Sequence, residues 1–318
     1  MSKRFIGARQ TTVAREVEVT GTGVHSGAPS TIVLHAAPAD TGIVFLVSKR
    51  GRISSQIKAH VSAVKNLTLC TVIGDEAGAT VGTVEHLLSA LRGLNIDNCF
   101  IEIDSREVPI MDGSAACFVA ALDKAGIREI AAPRKFIKVL KPVRVEEGGC
   151  FGQLTPHSSF LLDVEIDFPS PVIGRQRMAL DLNPGAFRNE IARARTFGFM
   201  SDVETLWKNG LALGASLDNT VAIGEDRILN PEGLRYSQEF VRHKLLDAIG
   251  DLTLAGAPLL GAFRSYRGGH KLNARVLEAL FASQDNWSLV EAPRVRDGLP
   301  VEVSFGMPKT AALAADRT

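Results

Sequence analysis

Short apolar, β-branched runs dominate the first seventy positions, at Val13 to Val19, Thr31 to Leu34, Ile43 to Val47, Ile53 to Ile57 and Leu67 to Ile73, with turn residues between them. They predict a meandering sheet. The period then changes. Thr83-Val-Glu85-His86-Leu-Leu-Ser-Ala-Leu-Arg-Gly93 places apolar residues at helical spacing between a capping Thr83 and a terminating Gly93. An apolar strand, Asn98 to Ile103, follows. A second helix, Ala115 to Ala125, is capped by Ser114 or Asp112.

Ala131-Ala132-Pro133-Arg134 punctuates the chain and divides it into a first domain, 1–131, and a second, 134–297, with a tail at 298–318. Strands resume at Phe136 to Leu140, Val143 to Val145, Phe151 to Leu154, Phe160 to Phe168 and Met178 to Leu182. Pro184 to Arg195 and Val203 to Asn209 read as helical, with short strands near Val221 and Ile228. A buried helix, Phe240 to Asp251, a strand, Leu259 to Tyr266, and a helix from His270 to Ala282 close the domain. This repeats the order of the first half. His86-Leu-Leu-Ser-Ala-Leu-Arg-Gly-Leu and His243-Lys-Leu-Leu-Asp-Ala-Ile-Gly-Asp-Leu each lead a helix, then an apolar strand, then a last helix, the pattern of a diverged duplication. Two such halves packed through their helices leave the sheets outside and let the His-led helices meet.

Composition narrows the function. The chain has 318 residues, 45% of them hydrophobic, enough for one large or two ordinary domains. Its 36 basic and 35 acidic residues leave a formal charge of +1, so no strong field draws it to nucleic acid or an anionic membrane. Cys70, Cys99, Cys117 and Cys150 are widely spaced, which fits reduced thiols in the cytoplasm. No apolar segment follows the basic N-terminus, and the run from Leu252 to Phe263 is broken by Gly256, Pro258 and Gly261. Neither a signal peptide nor a membrane span is expected.

Candidate chemistry centres on the helix from Phe240. His243 and Asp247 lie one turn apart on one face, separated by roughly 6 Å of rise, which is metal-ligand spacing and equally the spacing of a salt-bridged helix face. Zinc takes three protein ligands and a water in catalytic sites, so a third ligand is needed, and the duplication offers His86. Glu85, beside it, can act as general base or merely complement the helix N-terminus. His270, after Gly268-Gly269, can protonate a leaving nitrogen, with Asp251 favouring its charged form, or can simply cap its helix. Together these residues predict metal-assisted hydrolysis of an amide or ester. Gly21-Thr-Gly-Val-His25-Ser-Gly27 reads as a hairpin loop or an anion cradle.

Gly23-Val-His25-Ser-Gly27, Thr83-Val-Glu-His86-Leu, Pro109-Ile-Met-Asp-Gly-Ser-Ala115, Ala192-Arg-Ala-Arg-Thr-Phe-Gly-Phe199, Phe240-Val-Arg-His-Lys-Leu-Leu-Asp-Ala-Ile-Gly-Asp251 and Gly269-His270 occur in one consistent order from about Thr11 to about Leu289. Together they resemble the UDP-3-O-acyl-N-acetylglucosamine deacetylases, the zinc amidases of lipid A biosynthesis in Gram-negative bacteria. The resemblance implies an α/β (α+β) sandwich of two similar domains, each a mainly antiparallel sheet with two helices, the helices packed between two outer sheets. It also implies one catalytic Zn2+, with Fe2+ an alternative in the cell, on His86, His243 and Asp247. Glu85 would be the base and His270 the acid, oriented by Asp251, while Thr196 would hydrogen-bond the developing oxyanion.

For the substrate, the resemblance assigns Lys244 and Arg267 to the diphosphate, Asp167 and Phe168 to the nucleoside, and Phe197 to a further substrate contact. An apolar insert that includes Phe199, Met200, Val203 and Ala215 would pass the acyl chain; without the resemblance these positions read as core. Cys150 stands where the family pattern has a basic residue, so one nucleotide contact is absent. The implied protein is a cytoplasmic monomer that acts on a UDP-linked acylated glucosamine and binds no nucleic acid. Its rivals are a zinc amidase on another acetylated sugar and an RNA-binding protein of similar small-sandwich fold, the latter opposed by the near-zero net charge and by the lack of interleaved basic and aromatic residues.

Overall fold

In the computed structural model, which describes residues 7–292, the first half begins with β1 (Arg9–Val13) and β2 (Val17–Thr22), so the single run expected over Val13 to Val19 is divided between two strands. After β2 come β3 (Pro29–Ala36), β4 (Ile43–Lys49), β5 (Arg52–Lys58) and a small sheet of β6 (Val64–Asn66), β7 (Val72–Gly74) and β8 (Thr80–Val81). Helix α1 (Glu85–Gly93), β9 (Cys99–Ile103), α2 (Ala116–Ala125) and β10 (Ile127–Pro133) complete it. The main sheet runs β2-β3-β9-β4-β5, with only the β9–β4 pair parallel. Along β3 buried positions alternate with partly exposed ones, the mark of a sheet with one face on the core.

The second half supplies β11 (Lys135–Val139), β12 (Val143–Glu147), β13 (Cys150–Thr155), β14 (Phe160–Asp167) and β15 (Arg175–Asp181). A short α3 (Pro184–Ala186) runs into a π-helical turn, Phe187–Ile191, before β16 (Phe197–Phe199), α4 (Met200–Lys208) and β17 (Val221–Ile223). Then come α5 (Glu239–Thr253), β18 (Leu259–Tyr266), α6 (His270–Phe281) and β19 (Trp287–Glu291). The strands β12-β13-β18-β14-β15 repeat the order of the first sheet and the same pattern of directions, with β18–β14 the parallel pair. The duplication read from two short helical segments therefore extends through whole sheets. β11 and β19 extend the second sheet beyond the repeat.

Between the sheets lie the helices. α1 packs most extensively on α5, which also meets β14 and β15, while α6 covers β12 and β13 and α2 covers β2. Every residue of α1 is buried, and one core cluster joins Leu87 and Leu91 of α1, Leu245 and Ile249 of α5, Ile101 of β9 and Phe263 of β18. A helix buried on all sides must satisfy its polar residues internally, which makes the buried Glu85 and His86 informative. Close approach is possible because Gly250 of α5 presents no side chain to α1: a Cβ there would lie 2.0 Å from the Glu85 carbonyl oxygen. No helix among the described residues is long and apolar enough to cross a membrane.

Several local expectations are corrected. The strand expected over Leu67 to Ile73 is interrupted at 67–71, where Leu69 takes a positive φ of 68° and Thr71 is drawn into bonds with Glu85 and Asp251. Thr83 does not cap α1. It adopts φ 55° and its hydroxyl donates to Glu107 Oε1. The helix expected from Pro184 to Arg195 stops at Ile191, because the following residues turn back to bond α5. Near Ile228 there is only an isolated bridge to Ile223. The punctuation at Ala131 to Pro133 lies in a strand, β10, paired with β1. The tail at 298–318 lies outside the described residues.

Candidate metal centre and active site

Helix α5 sets His243 and Asp247 on one face, and the close crossing at Gly250 brings the start of α1 against it. His243 Nε2 stands 3.3 Å from Asp247 Oδ1, and His86 Nε2 stands 3.6 Å from the same oxygen. One ligand atom from each of the three residues lies within 4.8 Å of the others, and all three residues are buried. A tetrahedral zinc with bonds of about 2.0–2.1 Å needs ligand atoms roughly 3.3 Å apart, so the triad fits the ion with modest adjustment. The two imidazole rings meet edge to face, centroids 5.0 Å apart.

Proton positions agree with that chemistry. The Ala194 carbonyl can only accept, so His243 Nδ1–H donates to it at 3.0 Å and the lone pair remains on Nε2. Burial holds the His243 pKa down to about 3 despite the attraction of Asp247, leaving the neutral imidazole that a metal requires. For Asp247 burial opposes ionisation, but the Lys244 ammonium and the charged His270 counter it and hold the carboxyl well below the usual range. Lys244 Nζ donates to Asp247 Oδ2 at 2.9 Å. His86 Nδ1 is buried with no hydrogen-bond partner.

Beside the triad are a buried carboxyl, Glu85, and a second imidazole, His270. Burial raises the Glu85 pKa, an effect partly offset by His270. Glu85 Oε2 accepts from the Thr71 N–H at 3.1 Å, while Oε1 faces His270 Nε2 at 3.9 Å. On the other edge of its ring, His270 Nδ1–H donates to Asp251 Oδ2 at 2.8 Å. Burial disfavours the imidazolium, but Asp251 and then Glu85 overcome it and carry the His270 pKa up to about 10. Asp251 is itself fixed by the Thr71 hydroxyl at 2.7 Å and the Asn273 amide at 2.8 Å. Neither Thr71 nor Asn273 was among the residues singled out in the sequence. Asn273 leaves a signal, a polar residue at a buried position one turn into α6; Thr71 leaves none, since it lies in a run that reads as strand.

The other expected residues fall around this centre at differing range. The backbone of Thr196 is held by N–H donation to Gly113 O at 2.8 Å and acceptance from Val221 N–H at 2.8 Å, two residues from the carbonyl that orients His243. Phe197 meets the His243 ring at a centroid distance of 6.1 Å, Lys244 Nζ lies 5.6 Å from its centre, and Phe168 and Phe199 continue the aromatic cluster. Asp167 accepts from the Tyr266 hydroxyl at 2.8 Å. Arg267 is exposed in a left-handed conformation, φ 53°, at the turn that leads to His270. Met200 and Ala215 are exposed and Val203 half-buried, and α4 contributes no buried residue at all. Read without the resemblance, the insert is core; the structure corrects this, leaving Trp207 56% and Leu213 53% exposed.

The glycine loop at 21–27 is also corrected. Its backbone N–H groups do cradle an anion, but the anion is the chain's own Glu107, which accepts from His25 N and Ser26 N at 2.9 Å each and from the Ser26 hydroxyl at 2.6 Å. A Cβ on Gly23 would lie 2.3 Å from that carboxylate. Cys70 is buried near Glu85, and its thiol is pushed up to about 12 chiefly by burial, so it stays protonated. Among the described residues all four cysteines are free.

A family model described as UDP-3-O-acyl N-acetylglycosamine deacetylase matches residues 10–282. Proteins of Brucella ovis, Brucella canis and Brucella melitensis, each named UDP-3-O-acyl-N-acetylglucosamine deacetylase, are 49% identical to the chain over 288 residues, 90% of this chain and 100% of each relative. With the match running through both sheets and every residue of the buried constellation, the chain belongs to the UDP-3-O-acyl N-acetylglycosamine deacetylase family.

Proposed function

We propose that this deacetylase hydrolyses the N-acetyl group of a UDP-linked 3-O-acylated N-acetylglucosamine, the committed step of lipid A biosynthesis, with one zinc ion held by His86, His243 and Asp247. The observation that carries the reading is the buried triad, its ligand atoms within 4.8 Å of one another, with Glu85 and His270 alongside. Bound there, zinc would lower the pKa of a water from about 15.7 towards about 7 and polarise the amide carbonyl. Glu85 Oε2 is committed to Thr71, so Oε1 takes the proton from the attacking water. His270 Nδ1 is committed to Asp251, so Nε2–H protonates the nitrogen as the C–N bond breaks, giving acetate and the free amine. The Thr196 hydroxyl stabilises the oxygen on which negative charge develops.

Lys244 and Arg267 would meet the diphosphate, Asp167 and Phe168 the nucleoside, and Phe197 the sugar side of the pocket. Phe199, Met200, Val203 and Ala215 would carry the acyl chain; a helix that exposes apolar side chains and buries none fits a ligand surface better than core. The two repeats form domains 1–131 and 134–297. The enzyme works as a cytoplasmic monomer, with Fe2+ an alternative to zinc in the cell, and binds no nucleic acid. A deacetylation assay on acylated and unacylated UDP-N-acetylglucosamine, run with metal analysis, tests the reading. Equal efficiency on the two substrates would remove the acyl assignment while leaving the amidase chemistry.

A further inference from the structure

We infer that the buried ion pair Arg195–Glu239 is a positioning device for the metal centre, fixing the Ala194–Thr196 backbone that orients His243 and presents Thr196. The inference rests on the reading of His86, His243 and Asp247 as metal ligands. Along α5, Glu239, His243, Asp247 and Asp251 recur at intervals of four, one stripe on one helical face. The last three hold the metal or orient His270. Glu239 extends the stripe one turn towards the N-terminus, where the helix dipole favours a carboxylate.

Glu239 is 0% and Arg195 1% exposed, so neither charge is tolerated without complete pairing. The pairing is complete. Glu239 Oε1 accepts from the Arg195 backbone N–H and from Nε, both at 2.9 Å, and Oε2 accepts from Arg195 Nη2 at 3.2 Å and Arg235 N–H at 2.6 Å. Arg195 Nη2 also donates to Gly233 O at 2.7 Å, and Nη1 meets Glu232. The residue before Arg195 gives its carbonyl to His243 Nδ1–H, and the residue after is bonded through its backbone to Gly113 and Val221. Because Ala194 contributes a backbone atom, no substitution at that position removes it. Control passes to the side chains that hold the segment. If that carbonyl moves, His243 loses the bond that keeps its proton on Nδ1 and its lone pair on Nε2.

The test compares Arg195→Lys and Glu239→Gln with the full-length wild type and with Arg134→Lys, which disturbs another buried pair. Arg134 is 2% exposed and bonds Asp97 at 2.9 Å beyond the opposite end of α1 from His86. Zinc affinity is measured by chelator competition, ligand geometry by the absorption of the cobalt(II) form, and stability by melting of the metal-free protein. Arg195→Lys and Glu239→Gln should bind zinc about 10–100-fold more weakly and alter the cobalt spectrum. Arg134→Lys should lower the melting temperature and leave affinity and spectrum as in the wild type. His243→Ala separates the two claims: wild-type zinc binding by that variant would overturn the metal-site reading itself. If His243→Ala loses zinc while Arg195→Lys and Glu239→Gln keep wild-type affinity and spectrum, the positioning role alone is overturned. It is equally overturned if Arg134→Lys weakens zinc as much as they do, or if neither of the two variants folds while Arg134→Lys does, since the pair would then act through stability.

Discussion

Replacing Gly250 by alanine sets two known effects against each other. On helix propensity alone the change stabilises α5 by about 1 kcal/mol. The new Cβ, however, would stand 2.0 Å from the Glu85 carbonyl oxygen, 2.7 Å from its carbonyl carbon and 2.9 Å from its Cα, and all three are backbone atoms that no rotamer change moves. A carbon–oxygen contact is comfortable from about 3.3 Å, so α1 and α5 must part by roughly 1.3 Å. Overpacking of this kind typically costs about 1–3 kcal/mol, and a clash with three backbone atoms belongs at the upper end, so the net loss is about 2 kcal/mol after the propensity gain. The catalytic consequence is larger. His86 and Glu85 sit on one side of the crossing and His243, Asp247 and Asp251 on the other, and a misplacement of about 1 Å costs on the order of 100-fold in rate. Thermal melting of the metal-free protein, zinc affinity and turnover should all fall together in Gly250→Ala. A variant as stable and as active as the wild type would refute the claim that this glycine sets the spacing of the two half-sites.

Further outcomes follow from the same geometry. Asp251→Asn removes the charge that keeps His270 protonated, so the His270 titration and the basic limb of the pH–rate profile should move to lower pH; an unchanged limb would assign it to another group. In the metal-free protein, His270 has its folded pKa raised to about 10 from an unfolded value of about 6.5, so its stabilising contribution is full below the unfolded value and is lost as pH rises through the folded one. Melting measured between those limits should show that loss, and a flat profile would contradict it. A substrate with a short acyl group should lose up to about 0.8 kcal/mol of binding per missing methylene, and Ala215→Trp should impair the long-chain substrate far more than the truncated one. With a thiol reagent at mild alkaline pH, the half-buried Cys117 and Cys150 should react before the buried Cys70 and Cys99, as mass mapping would check.

The parts legible in the sequence were those with a period. The four-residue interval of His243, Asp247 and Asp251 foretold which side chains share a face, and the paired His segments foretold which helices meet, although α5 starts at Glu239, one turn before His243, rather than at His243 itself. Most of the strands were foretold by short apolar, β-branched runs set between turn residues. Residues whose roles depend on backbone groups left no such mark. Thr71 looks like part of a strand, yet its N–H and hydroxyl tie Glu85 to Asp251, and meeting both breaks the strand. Thr83 has the chemistry of a cap but is held at a positive φ by Glu107, and the glycine loop that binds anions is filled from within the chain. Ala194 acts through its carbonyl alone, so nothing about its side chain points to His243. The insert was ambiguous for a different reason: apolar residues read as core until burial is known, and α4 turns out to bury none.

Zinc occupancy measured across single ligand variants tests the central claim most directly. Purified wild-type protein, stripped and titrated with zinc, should take up one ion per chain tightly and gain deacetylase activity in proportion. His86→Ala, His243→Ala and Asp247→Ala should each lose tight binding and activity while retaining the folded sheets, because the ligands come from two helices of separate repeats. Full, tight zinc occupancy in the His243→Ala or Asp247→Ala protein would contradict the site described.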